Sequence, residues 1–350
     1  MKKNARLCYL DLLRILACFL VILNHTPGYV ASFEGNASKP LPLLVCHLFL
    51  EMVVKIGVPV FFMISGALLL RKDMTYRNVF KRILRMFLIL LGFSIVANIA
   101  ATKHFYAPGF VRNFASATVD GARPYWYLYA YIGFLLVHPF MRSIAVRLTK
   151  SDVIYLILAR LVITGILPAI ILILNIALES NMYIAERFEP AIITVDCLFY
   201  TLVGYGLDSM FDVKEFMGKR EISFIALFVG TALVESLLTW IAGIENVFSG
   251  MDFVMAISLF MGVKTALFRK EPSDGVKKTI SLIGSLTFGI YLLDPIIGNF
   301  LKPFVHRLYP SVPSYLCVSM LYCLISMMVC GGLTFLYRKF VEIVSVKYSD

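Results

Sequence analysis

Charge is scarce in this 350-residue sequence: 16% of residues are Asp, Glu, Lys or Arg, while 59% are hydrophobic. Mean hydropathy reaches +0.82. That scarcity excludes a soluble domain, whose surface needs roughly a quarter of its residues charged. The seven cysteines stand singly in apolar stretches, with no CxxC pair and no His-Cys cluster. Neither a disulfide framework nor a metal site is expected, and the thiols read as small packing residues. No low-complexity linker is present, and the first half of the chain does not repeat in the second. No small-residue cleavage site follows the first apolar segment, which is also too long for a signal-peptide core, so it is read as a retained helix. Acidic residues are outnumbered 22 to 33, for a formal net charge of +11. The basic residues form no patch interleaved with aromatics, so nucleic acid is not a partner.

What is present is a series of long hydrophobic runs, and the basic residues are sorted between them. Ten apolar segments reach spanning length: Leu10 to Ala31, Leu43 to Leu70, Ile83 to Ala101, Pro124 to Met141, Val153 to Ala177, Pro190 to Met210, Ile222 to Gly243, Met251 to Phe268, Ile280 to Leu301 and Ser314 to Tyr337. With the N-terminus inside, the outer loops hold only Lys39, Lys103, Arg112, Arg123, Arg187, Lys302 and Arg307 of the 33 basic residues. Arg14, Lys55 and Arg160 lie within spans, and all the others gather in the inner loops. The asymmetry predicts an all-α polytopic membrane protein of about ten helices with both termini cytoplasmic. Spans and short connections use up residues 1–350, so one transmembrane domain is expected. The longest outer connection, Thr102 to Arg123, carries ProGly and aromatics and reads as a solvated loop or a partly ordered cap.

Within the first span, Arg14 and His25 are eleven residues apart. At about 100° and ~1.5 Å per residue they share one helical stripe, displaced by about 16 Å along the axis. Asp11 lies one turn before Arg14 on the same side, where its carboxylate offsets the guanidinium. Ionisable groups inside a bilayer are costly and mark functional sites by default. The alternative is that Arg14 snorkels to the cytoplasmic headgroups and His25 to the outer interface.

Four further segments carry chemistry. In Gly57 to Leu70, Pro59 is expected to free a backbone carbonyl, while Ser65 and Gly66 allow close approach of a second helix or a ligand. Glu51 and Lys55, one turn apart, form an expected intramembrane ion pair. Arg82 and Arg85, at i and i+3 where the third span begins, share a face at the cytoplasmic surface and suit bidentate phosphate binding. Tyr125, Trp126 and Tyr127 crowd the outer end of the fourth span, as an interfacial belt or as a platform for sugar rings. Asp294, followed by Pro295, is a carboxylate that should not face lipid.

Taken together, Arg14-x10-His25, ValProValPhePheMetIleSerGly, Arg82-x-x-Arg85, TrpTyrLeuTyrAlaTyrIleGly and PheGlyIleTyrLeuLeuAspPro, in this order over nearly the whole chain, resemble the acyltransferase-3 family. These are bacterial membrane O-acyltransferases that modify surface polysaccharides and lipid-linked precursors. The TrpTyrLeuTyr segment is similar to the branch containing the enterobacterial common antigen O-acetyltransferase. The resemblance implies a multi-pass protein of the bacterial cytoplasmic membrane in which Arg14 and His25 are the functional pair and Arg82 and Arg85 bind acyl-CoA. Family members often have histidine where this chain has Asp294. Many also carry a C-terminal extracytoplasmic hydrolase-like domain, and none is expected in a chain that ends at Asp350.

The expected reaction is transfer of an acyl group, acetyl or alternatively succinyl, from acyl-CoA as donor substrate to a glycan hydroxyl, with no permanently bound cofactor. His25 is the catalytic residue, as general base or as nucleophile. Arg14, Arg82 and Arg85 bind the donor, Asp11, Ser65 and Asp294 orient or support, and Tyr125 and Trp126 are candidate glycan contacts. A secondary transporter or a glycan exporter is the rival class, drawing on Arg160, Asp196, Glu235 and Asp294 in the later spans.

Overall fold

The computed structural model describes residues 3–26, 41–185, 189–216, 219–243, 248–307 and 312–347. The expected end of the first span at Ala31, and Lys2, Lys39 and Arg187 of the loop pattern, lie outside the described residues. The chain is all-helical, with no strand among the described residues. Its helices are α1 (Lys3–Asn24), α2 (Leu41–Lys55), α3 (Gly57–Leu69), α4 (Tyr76–Thr102), α5 (Ala107–Ala115), α6 (Trp126–Ala145), α7 (Lys150–Arg160), α8 (Leu167–Ala177), α9 (Ala191–Thr194), α10 (Asp196–Ser209), α11 (Lys219–Ala242), α12 (Asp252–Arg269), α13 (Asp274–Arg307) and α14 (Val312–Lys347).

Among the described residues, 7 helical stretches are long and apolar enough to cross a membrane: Leu44–Leu69, Tyr76–Thr102, Arg123–Ala145, Lys150–Ala177, Ile222–Ala242, Asp274–Leu301 and Cys317–Glu342. The other three segments read as spans in the sequence correspond to α1, α10 and α12. α10, with 14 residues, is too short to span by itself, and α12 carries Asp252, Lys264 and Arg269. These helices face protein. α1 packs against α2, α3, α12, α13 and α14, and Tyr9, Phe199, Phe253 and Phe260, contributed by the three of them, are completely buried.

Two local features differ from the sequence reading. The second span breaks at Ile56, and α3 restarts at Gly57 with Pro59 in its first turn. The break lies one turn before Pro59, whose missing amide leaves the Lys55 carbonyl without an i+4 donor, and the helical pattern resumes with the Val60 amide on the Ile56 carbonyl at 3.0 Å. The connection from Thr102 to Arg123 is ordered around α5, where Phe110 is buried and stacks on Phe114 at 5.6 Å.

The close approach expected at Gly66 is realised reciprocally. A Cβ at Gly66 would overlap the Thr201 backbone of α10, and one at Gly204 would overlap the Met63 backbone of α3. Small residues at such crossings let helix backbones touch. Gly66→Leu should push α3 from α10 at a cost of at least about 1–3 kcal/mol. A lowered melting temperature in detergent would register it, and an unchanged one would contradict the crossing.

The charges that prompted a transporter reading have local explanations. Arg160 donates from Nη1 to the Ile193 carbonyl and from Nη2 to Asp196, both at 2.7 Å, and stacks on Phe199. Glu235 accepts the Met251 amide at 2.6 Å, just ahead of α12. Lys55 and Glu51 form the expected pair at 3.7 Å.

Candidate active site

Helix α1 delivers the Arg14 and His25 stripe intact: the helix is continuous to Asn24, and the His25 amide still donates to the Val21 carbonyl at 3.2 Å. Asp11 holds Arg14 as its spacing predicts, with Nη1 donating to Oδ1 at 2.6 Å. Gly284 of α13 lies so close to Asp11 that a Cβ there would come within 2.7 Å of the aspartate Cβ. The acid is thus confined to the α1–α13 contact, where it orients Arg14.

Arg14, Ser65, Arg82 and His25 line one cavity of about 340 Å³. The helices bring to it one guanidinium from α1 and one from α4. Tyr127 and Tyr131 of α6 line the same cavity as Ser65 and Arg82. The remaining wall is largely aromatic, with Phe61, Trp126, Phe288 and Tyr291. Two cations in a largely aromatic cavity make a lining suited to a polyanionic head with an apolar tail.

Arg85 is not part of this cavity. It is exposed and lines a separate groove on the outside of α4 with Lys81, Leu84, Leu88 and Gly92. The i, i+3 spacing leaves the two arginines about 60° apart around the helix. Here that angle falls across the edge of the crevice, so only Arg82 turns inward.

A second cavity, of about 630 Å³, also reaches His25 and contains Asp294. Ser326 and Tyr322 of α14 donate to Asp294 Oδ1 at 2.5 and 3.3 Å. Along α4 the first cavity takes Arg82 and Met86 and the second Ala100 to Lys103; along α13 they take Gly284 to Tyr291 and Asp294 to Asn299. The two cavities therefore occupy successive halves of the bundle, and His25 and Pro124 line both.

A pair of tyrosines fixes this junction. Tyr125 donates to the Leu292 carbonyl and Tyr291 to the Pro124 carbonyl, both at 2.5 Å, with their rings edge to face. Tyr125 is completely buried. Its ring faces are covered by protein, so the expected sugar contact at Tyr125 does not hold and the residue is a helix pin. Trp126, 41% exposed on the cavity wall, keeps an open face.

The sequence reading missed Arg338. From α14 it donates to the Ser285 hydroxyl at 2.8 Å and the Ser285 carbonyl at 2.6 Å, and Ser285 is a wall residue of the first cavity. In the sequence Arg338 is one of several basic residues after the last span, with nothing to distinguish it from an interfacial anchor.

Comparison with known proteins bears on this arrangement. A family model describing an acyltransferase domain matches residues 8–333. The chain belongs to the acyltransferase-3 family. The matched region contains Arg14, His25, Arg82, Asp294 and both cavities, so this membrane acyltransferase has its whole candidate site inside the family domain. Arg338 lies just beyond it. No curated protein and no solved structure matches the chain.

Proposed function

We propose that this acyltransferase moves an acyl group, most simply acetyl, from acyl-CoA at the cytoplasmic face to a hydroxyl of a cell-surface glycan or lipid-linked glycan precursor. The observation that carries the reading is that His25 belongs to both cavities. The aromatic passage with Arg14 and Arg82 takes the donor, phosphates toward the guanidiniums and thioester toward His25. Their axial offset of about 16 Å separates the charged head from the reacting carbonyl. Arg85, on the outer groove, is left to contact donor phosphates beyond the cavity. The basic inner loops support an orientation in which the end of α4 bearing Arg82 is cytoplasmic. In that orientation α1, α10 and α12 complete ten crossings of the bacterial cytoplasmic membrane, with both termini inside.

With both substrates reaching one imidazole, transfer is direct. His25 removes the proton of the acceptor hydroxyl, the oxygen attacks the thioester carbonyl, the carbon–sulfur bond breaks, and the imidazolium returns the proton to the CoA thiolate. Isotopically labelled acetyl-CoA, supplied to membranes containing the protein and its host glycans, tests the reading. CoA release with label in the glycan supports it, whereas label taken up by vesicles without covalent transfer would replace it with transport. Direct transfer further predicts intersecting double-reciprocal lines when donor and acceptor are varied; parallel lines would indicate an acyl-histidine intermediate.

Arg338 acts in this scheme as a positioning residue through Ser285. Arg338→Gln should raise the half-saturating acetyl-CoA concentration several-fold, with kcat nearly unchanged and partial rescue in Arg338→Lys. A fall in kcat alone would assign Arg338 only to packing of α13 on α14.

A further inference from the structure

The second cavity differs chemically from the first. Its lining contains the carboxylates of Asp120 and Asp294, the cations of Lys103 and Arg123 and the amide of Asn299, and its rings are the His25 imidazole and the Tyr322 phenol. The Tyr322 hydroxyl donates to Asp294. Lys103 Nζ donates to the Ala100 carbonyl at 2.8 Å and lies over Phe300, so it is held at the rim. Asp120 and Arg123 are exposed, and neither has a hydrogen-bond or ion-pair partner among the described residues.

The turn carrying these two residues is set close against the bundle. Gly121 has φ 73°, and a Cβ there would lie 2.6 Å from the Ala97 carbonyl oxygen and 2.8 Å from Asn299 Nδ2. That fit between α4 and α13 places Asp120 and Arg123 on either side of Gly121 beside Asn299. Acceptors and donors therefore stand together around one space that reaches His25. A ligand matching such a lining both donates and accepts hydrogen bonds at neighbouring positions, as the hydroxyls of a sugar ring do. Two cations set against two carboxylates give no net selection for an anion.

We propose that this cavity is the acceptor site and that it holds a pyranose ring whose hydroxyls donate to Asp120 and accept from Arg123 and Asn299, presenting one hydroxyl to His25. The aromatic wall that includes Trp126 then serves the donor, and stacking on it does not select the sugar. This inference rests on the acyl-transfer reading above.

The experiment uses the full chain in phosphatidylethanolamine–phosphatidylglycerol vesicles with labelled acetyl-CoA or succinyl-CoA. The acceptor is an envelope glycan extract from a host strain lacking this protein, titrated against each variant. Asp120→Asn, Arg123→Gln and Asn299→Ala should each raise the half-saturating extract concentration by about tenfold or more, as loss of a charge-assisted or buried hydrogen bond does. The acetyl-CoA half-saturation should stay within about twofold by the same scale. Asp120 and Arg123 carry exposed side chains, so their variants keep the fold and the test stands even where Asn299→Ala does not accumulate. Unchanged extract dependence in the Asp120 and Arg123 variants overturns the assignment, as does a parallel rise in the acetyl-CoA requirement. A rise in Trp126→Ala alone returns the acceptor to the aromatic wall. If the unaltered protein releases no CoA from either donor, acyl transfer itself fails and this inference falls with it.

Discussion

His25→Gln will lower acyl transfer by about 10²–10⁴-fold, the range that a positioned general base contributes, while the protein accumulates in the membrane at its usual level. The substitution keeps a side chain of similar size and polarity between the two cavities but removes the group that accepts the hydroxyl proton. The His25 side chain is only partly buried, and the α1 backbone bond from its amide to Val21 is independent of it. Folding is therefore untouched, and size-exclusion profiles of variant and parent should coincide. The readout is labelled CoA release together with label in glycan. Substantial retained transfer in correctly folded His25→Gln would remove the imidazole from the chemistry and leave the meeting of the cavities without a catalytic purpose.

Arg82→Gln will raise the half-saturating acyl-CoA concentration by about 10- to 100-fold, corresponding to about 1.5–3 kcal/mol for a hydrogen bond to a charged group. Arg85→Gln will change it far less. The contrast follows from Arg82 lining the cavity beside Arg14 while Arg85 is exposed on the outer groove of α4. Initial rates over a titration of acetyl-CoA measure both. Equal effects would place the phosphates across the cavity edge, gripped by the two arginines together, and a larger effect at Arg85 would move the donor head onto the outer groove.

The legible parts of this molecule were those governed by one helix at a time. The Arg14–His25 stripe, the Asp11–Arg14 pair and the Glu51–Lys55 pair follow from helical spacing alone, and each is present in the structure. The family was legible for a related reason: its motifs are short runs whose order survives without knowledge of their packing. What depended on a neighbour was not legible. Spacing assigns Arg82 and Arg85 a relation to each other but not to the edge of α6 and α13, which decides which one turns inward. Tyr125 and Trp126 look alike in a sequence, yet a bond to Leu292 buries one while the other stays open. Arg338 meets Ser285 across 53 positions, and no local pattern announces that.

The tyrosine pins have a consequence for the cell's energy supply. Two cavities that open from successive halves of a bundle and meet at one side chain come close to forming a pore, and a continuous water path through it would discharge the membrane's ion gradients. Beside that meeting point stand Tyr125 and Tyr291, both buried, each tied by its hydroxyl to backbone on the other's helix segment. They tie the Pro124–Tyr125 segment to α13 beside His25. In the proposed reaction an acyl group changes compartment by bond exchange at His25, beside a junction that the two tyrosines hold closed to sliding of α13.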